Sequence, residues 1–114
     1  MMEEQITLED FLKVDIRVGT VISSSLNKKA RKPAYILEID FGDEVGIKKS
    51  SAQLTENYEA NELVGKQICA VVNFPAIRVA GVKSEVLVLA VVSDSAGATL
   101  LQPERVVPNG DKIA

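Results

Sequence analysis

The chain reads as an all-β domain, a small barrel of five main strands. Three observations lead there. Short runs place apolar residues with the period of two that a half-buried strand requires. Gly, Pro and Asn clusters separate those runs. Only two segments carry helical signals, and both are short.

The elements follow in order. Thr7-Leu8-Glu9-Asp10 has an N-cap residue with an acid three positions on, and Ile6 and Phe11 stand at the spacing of a hydrophobic staple. A short helix from about Thr7 to Lys13 is expected, closing one end of the fold. From Asp15 the period changes: Ile16, Val18, Thr20 and Ile22 alternate with Asp15, Arg17, Gly19 and Val21, a first strand. Gly19 within it points to a bend. Asn27 to Pro33 is a polar, basic loop. Tyr35, Leu37, Ile39 and Phe41 then form the inward face of a second strand, and Gly42 to Gly46 is a turn into a third, Ile47 to Ala52.

Gln53 to Gly65 breaks the rhythm, with a short helix at Ala60 to Val64 closed by Gly65. Gln67 to Asn73 is a fourth strand and Ser84 to Val92 a fifth. Ala98 to Gln102 adds a short strand before an extended tail carrying Pro103, Pro108 and Asn109-Gly110. Five strands with a helix between the third and fourth is the order of an OB-fold barrel. The expected architecture is that barrel with a short N-terminal helix and a C-terminal strand extension. The run Val86 to Val92 has no polar face, so both of its faces should be covered, by other parts of the chain or by a second copy.

The bulk numbers bound the function. The 114 residues make one domain, and 46% apolar composition is enough for a core. A net charge of −3 argues against bulk attraction to nucleic acid and leaves a local basic patch open. Cys69 is the one cysteine and lies in the apolar run Ile68 to Val72. It reads as a small buried hydrophobe, and the lack of an intrachain disulfide fits a reducing cytoplasm. The N-terminus has no leader pattern, and no apolar run approaches a membrane span, so no membrane insertion is expected.

Catalysis has little to work with. There is no histidine to serve as acid or base, no metal-ligand cluster, no phosphate-cradling glycine loop and no base beside the serines. No catalytic residue, metal or cofactor is expected. Binding is better provided for. Lys28, Lys29, Arg31 and Lys32 share one loop, Lys48 and Lys49 one strand, and Arg78 and Lys83 another rim segment. Most acids lie elsewhere. Such segregation suits phosphate contacts, although solubilising lysines would look the same. Aromatics are few, and only Phe74 and Tyr58 are left as candidates to stack on a base. Asn73-Phe74-Pro75 beside Ala76 and Ile77 could instead form a shallow apolar patch for an extended peptide, or Phe74 could be buried on its own barrel.

The stretch Asp10-Phe11-Leu12-Lys13-Val14-Asp15-Ile16-Arg17-Val18-Gly19 resembles the opening of the tRNA-binding OB-fold domains. These are modules appended to bacterial methionyl- and phenylalanyl-tRNA synthetases and also found as free-standing dimers. The resemblance continues through Ile39-Asp40-Phe41-Gly42, Glu62-Leu63-Val64-Gly65-Lys66-Gln67 and Val71-Val72-Asn73. Within the family the chain is most similar to the CsaA type, through Ala30 to Tyr35, Ile47 to Thr55, Asn73-Phe74-Pro75, Ser84 to Leu89 and Val107-Pro108-Asn109-Gly110. It departs from the synthetase-type pattern at Ser51-Ala52-Gln53, Phe74 to Arg78 and Ser84-Glu85-Val86-Leu87, which thins the basic character there.

The resemblance implies a homodimeric, non-catalytic chaperone linked to protein export, with tRNA and unfolded or pre-secretory polypeptides as partners. The alternative is an accessory subunit docking on an aminoacyl-tRNA synthetase. The residues expected to meet tRNA are Arg17, Lys48, Lys49, Ser51, Asn73, Arg78, Lys83 and Ser84. Phe74, Pro75 and Ile77 are expected to meet peptide, and Leu100, Leu101, Val106 and Val107 to form part of the dimer seam.

Overall fold

The computed structural model describes residues 2–114. Helix α1 (Leu8–Leu12) starts where Thr7 caps it: the Thr7 hydroxyl accepts from the Asp10 amide at 3.1 Å, and the Asp10 carboxylate accepts from the Thr7 amide at 3.2 Å. Two otherwise orphaned donors are satisfied together. The helix does not close the barrel, however. None of its residues is buried, and Ile6, Leu8 and Leu12 are exposed. That role falls to α3 (Ala60–Leu63), whose Leu63 is fully buried and which packs on the first strand, Ile16–Leu26.

The main sheet contains β1 (Ile16–Leu26), β2 (Tyr35–Asp40), β3 (Ile47–Ala52), β4 (Gln67–Val71) and β7 (Leu87–Val88), in the order β3-β2-β1-β4-β7. A one-turn helix, α2 (Gly42–Val45), joins β2 to β3. The sheet curls until β3 meets the segment leading into β7. There the Glu85 amide donates to the Lys49 carbonyl at 2.8 Å, the Ser50 hydroxyl to the Val86 carbonyl at 3.0 Å, and the Ser51 amide to the Ser84 hydroxyl at 3.1 Å. This is the five-stranded OB-fold barrel.

Its interior is lined by Tyr35, Leu37, Ile39 and Phe41 of the second expected strand, together with Val21, Ile68, Ala70, Val86 and Leu100. The register of β1 against β2 slips between Val21 and Ser23, just beyond Gly19. Gly19 lies where a Cβ would sit 2.7 Å from side-chain atoms of both Ile39 and Phe41.

The apolar run after Glu85 is not one strand. It breaks at Leu89, and Ala90–Ser93 (β8) turns into a hairpin with Gly97–Leu100 (β9). Val86 is buried, but Leu87, Val91 and Val92 are exposed, so the chain alone does not cover both faces of the run. Between β4 and β7 the rim segment that carries Arg78 and Lys83 is a second hairpin, β5 (Ile77–Val79) and β6 (Val82–Ser84). Its two-residue turn, Ala80-Gly81, has positive φ at both positions (47° and 85°). A turn of that hand matches the strand twist. It normally takes Asn, Asp or Gly first, which is why Ala80 gave no signal.

The C-terminal tail folds back on β1. The Gly110 amide donates to the Val18 carbonyl (2.7 Å), the Val18 amide to the Asp111 carbonyl (3.0 Å), and the Ile113 amide to the Ile16 carbonyl (2.9 Å). No helix among the described residues is long and apolar enough to cross a membrane.

Candidate functional site

Hairpin β5–β6 organises the site because its two faces differ. Arg78 and Lys83 are direct cross-strand partners and therefore share one face, where both are exposed. Ile77 and Val79, with Ser84, line a cleft of about 370 Å³ beneath the hairpin. Phe74, Pro75, Val86 and Leu87 complete its apolar wall, and Ser51 and Glu85 lie at its polar side. The three residues expected to meet peptide, Phe74, Pro75 and Ile77, thus come together. Phe74 is half exposed rather than buried on its own barrel.

The loop between β1 and β2 approaches the same hairpin. The Asn27 side chain is buried and accepts from the Lys29 amide at 3.1 Å. That fold of the loop brings Lys29 over the turn: its Nζ is 3.7 Å from where a Cβ on Gly81 would stand. A second cavity of about 360 Å³ is lined by Lys28 and Lys29 on one side and by Ala80, Gly81 and Val82 on the other. Two cationic segments far apart in sequence therefore meet, with Lys28 and Lys29 beside the hairpin that bears Arg78 and Lys83. Spacing alone could not place them together, since the hairpin itself was not visible in the sequence.

Residues 16–112 match the family model described as "Putative tRNA binding domain". The solved chaperone CsaA of Bacillus anthracis is 54% identical with a TM-score of 0.91, over 97% of this chain and all of that one. The chain belongs to the tRNA-binding domain family, in its CsaA branch. The CsaA chaperone of Picrophilus torridus superposes as well, at 53% identity and a TM-score of 0.90, covering 96% of this chain and all of that one. Among curated proteins, the methionine–tRNA ligase of Methanococcoides burtonii is 39% identical over 90% of the chain. The chain spans only 15% of that ligase's length.

Within this tRNA-binding domain the other expected contacts divide. Lys48 and Lys49 are neighbours on β3 and so point to opposite sides of the strand. Lys49 is exposed and lies opposite Glu38. The Lys48 ammonium is 3.8 Å from the Glu85 carboxylate. Ser51 and Ser84 sit on the cleft, where Ser84 is buried and its hydroxyl already accepts from the Ser51 amide.

Four expectations change. Arg17, expected at phosphate, is only 11% exposed and holds the barrel's own parts together. It donates to Asp15 at 2.7 and 3.2 Å, to the Gly110 carbonyl at 3.1 Å and to Glu44 at 3.4 Å. Its hydrogen bond to Asp15 holds that carboxyl below the ordinary value of 3.8. Asn73 is likewise occupied, accepting from the Asp15 amide (2.9 Å) and donating to the Lys13 carbonyl (2.7 Å). Tyr58 cannot stack freely, because its hydroxyl accepts from the Leu100 amide at 3.0 Å and its ring packs on the core.

Leu100 leaves the expected dimer seam, being 7% exposed within the chain's own core. Val107 is bonded to Gln67 in both directions, while Leu101 and Val106 are exposed. Cys69 is buried, and burial pushes its thiol up, away from the reactive thiolate.

Proposed function

We propose that this protein is a non-catalytic tRNA-binding barrel of the CsaA type that also acts as a chaperone for unfolded chains. The observation that carries the tRNA reading is the approach of Lys28 and Lys29 to the Ala80-Gly81 turn of the hairpin whose exposed face bears Arg78 and Lys83. Exposed cations on two rim segments suit the backbone of a folded RNA, which is read by shape and phosphate more than by base edges. Phe74 is the one exposed aromatic side chain of the cleft wall, too few for a stacking platform. The absence of histidine supports a binding role rather than acid–base catalysis.

The chaperone reading has its own support in the cleft of Phe74, Pro75, Ile77, Val79, Val86 and Leu87. Apolar walls with few polar groups take apolar side chains of an extended chain. The two CsaA chaperones that this chain resembles favour the same reading, and the cytoplasmic role linked to protein export is the one that the sequence resemblance implies. Exposed Leu8, Leu12, Val91, Val92, Leu101 and Val106 favour a homodimer. Docking on a synthetase as an accessory subunit is the alternative, and co-purification with one from cell extract would favour it.

One pair of variants separates the two ligand classes. Arg78→Glu should weaken tRNA binding about tenfold and lower the salt slope by about one, because a phosphate contact is lost. It should leave suppression of aggregation of a model unfolded protein in place. Phe74→Ala should do the reverse. Unchanged tRNA affinity in Arg78→Glu contradicts the first reading, and unchanged aggregation suppression in Phe74→Ala contradicts the second.

A further inference from the structure

Glu85 stands where the apolar cleft meets β3, and both of its carboxylate oxygens face that strand. Oε1 accepts from the Lys49 amide at 3.1 Å, and Oε2 is 3.8 Å from the Lys48 ammonium. Neither side chain is freely solvated: Lys48 is 35% exposed and Glu85 27%. The Glu85 amide is fixed as well, donating to the Lys49 carbonyl at 2.8 Å. The carboxylate is therefore held in place beside Ser51 and Ser84, on the cleft they line together.

We propose that Glu85 is a specificity-determining residue that withholds Lys48 from RNA phosphate and so limits tRNA affinity at this edge of the barrel. The inference rests on the tRNA reading above. A phosphate approaching Lys48 meets a carboxylate already at the ammonium, and like charges at that range repel. The apolar walls of the cleft reduce solvent screening on one side and strengthen the repulsion. Glu85 thus leaves the cations of the hairpin and the β1–β2 loop to hold RNA, and keeps the cleft edge for ligands without phosphate.

The test is tRNA binding across a salt series for the wild-type protein and three variants. Glu85→Gln removes the charge and keeps an oxygen that can accept from the Lys49 amide, so the strand contact survives. It should raise tRNA affinity about fivefold and steepen the salt slope by about one contact. Glu104→Gln removes the same formal charge from an exposed site in the tail and should change little. Adding Lys48→Ala to Glu85→Gln should abolish the gain. The proposal is overturned if Glu85→Gln binds like wild type or like Glu104→Gln, or if the gain survives without Lys48. If neither wild type nor Glu85→Gln binds tRNA even at low salt, the tRNA reading itself fails and the proposal falls with it.

Discussion

Gly19→Val should cost about 3 kcal/mol of folding stability, through overpacking of a filled core. The first atom added at position 19 would lie 2.7 Å from Ile39 Cγ2, 2.7 Å from Phe41 Cδ1 and 2.8 Å from Phe41 Cε1. Ile39 and Phe41 are both fully buried, so neither ring nor branch has solvent to retreat into. Their backbones are fixed too: Ile39 pairs with Val21 on one side and Lys48 on the other, and the Phe41 amide donates to the Gly46 carbonyl at 3.0 Å. A domain of this size has roughly 5–15 kcal/mol to lose, so the melting temperature should drop by roughly 10–15 °C. Thermal unfolding followed by circular dichroism checks this. A valine variant melting within two or three degrees of wild type, about what a few tenths of a kcal/mol would give, shows that the core yields there.

Replacing Arg17 by Ala should cost about 2 kcal/mol, the scale of hydrogen bonds to charged groups that lose their partner. The guanidinium is the common donor to Asp15, Glu44 and the Gly110 carbonyl, so it joins the start of β1, helix α2 and the tail. The loss should depend on pH. Asp15 is held below 3.8, mainly by its hydrogen bond from Arg17. A carboxyl lowered by folding stabilises the fold above its ordinary value, and that contribution fades as pH falls through the lowered folded value. The difference between wild type and Arg17→Ala should therefore be full near neutrality and shrink below about pH 3.8. Denaturant titrations at several pH values give the comparison. A difference that stays constant into acid removes the ion pair from the account. The salt slope of tRNA binding should not change in this variant, since Arg17 makes no phosphate contact in our reading.

Local physics made much of the barrel legible. The β2 strand could be read from period two alone, because one face packs inward and the aromatic at its end has nowhere else to go. Two of the three helices announced themselves by caps: α1 by Thr7 with Asp10, and α3 by the Gly65 that follows it, where φ is +92°. What escaped was decided at long range. Arg17 reads as a free cation until Gly110, 93 residues on, supplies a carbonyl, and Asn73 reads as a free amide until Lys13 and Asp15 take up both of its polar atoms. Nothing near Gly19 in the sequence shows that Ile39 and Phe41 fill the space above it. The amphipathic hairpin was hidden by Ala80, which takes a left-handed conformation that its residue type does not advertise. With the hairpin hidden, the approach of Lys28 and Lys29 to its Ala80-Gly81 turn was hidden as well. Leu87, Val91 and Val92 were expected to be covered and are not within one chain, the same observation that favours a second copy.

In our reading tRNA and polypeptide both meet the barrel at hairpin β5–β6, whose one face bears Arg78 and Lys83 and whose other lines the apolar cleft, so that two bulky ligands should exclude each other there. Competition measures this most directly: labelled tRNA bound to the protein is titrated with a permanently unfolded, uncharged polypeptide at fixed low salt. Overlapping sites predict displacement of the tRNA, with an apparent tRNA affinity that falls as polypeptide concentration rises. A ternary complex that holds tRNA with undiminished affinity at saturating polypeptide would place the two ligands on separate surfaces and contradict the account.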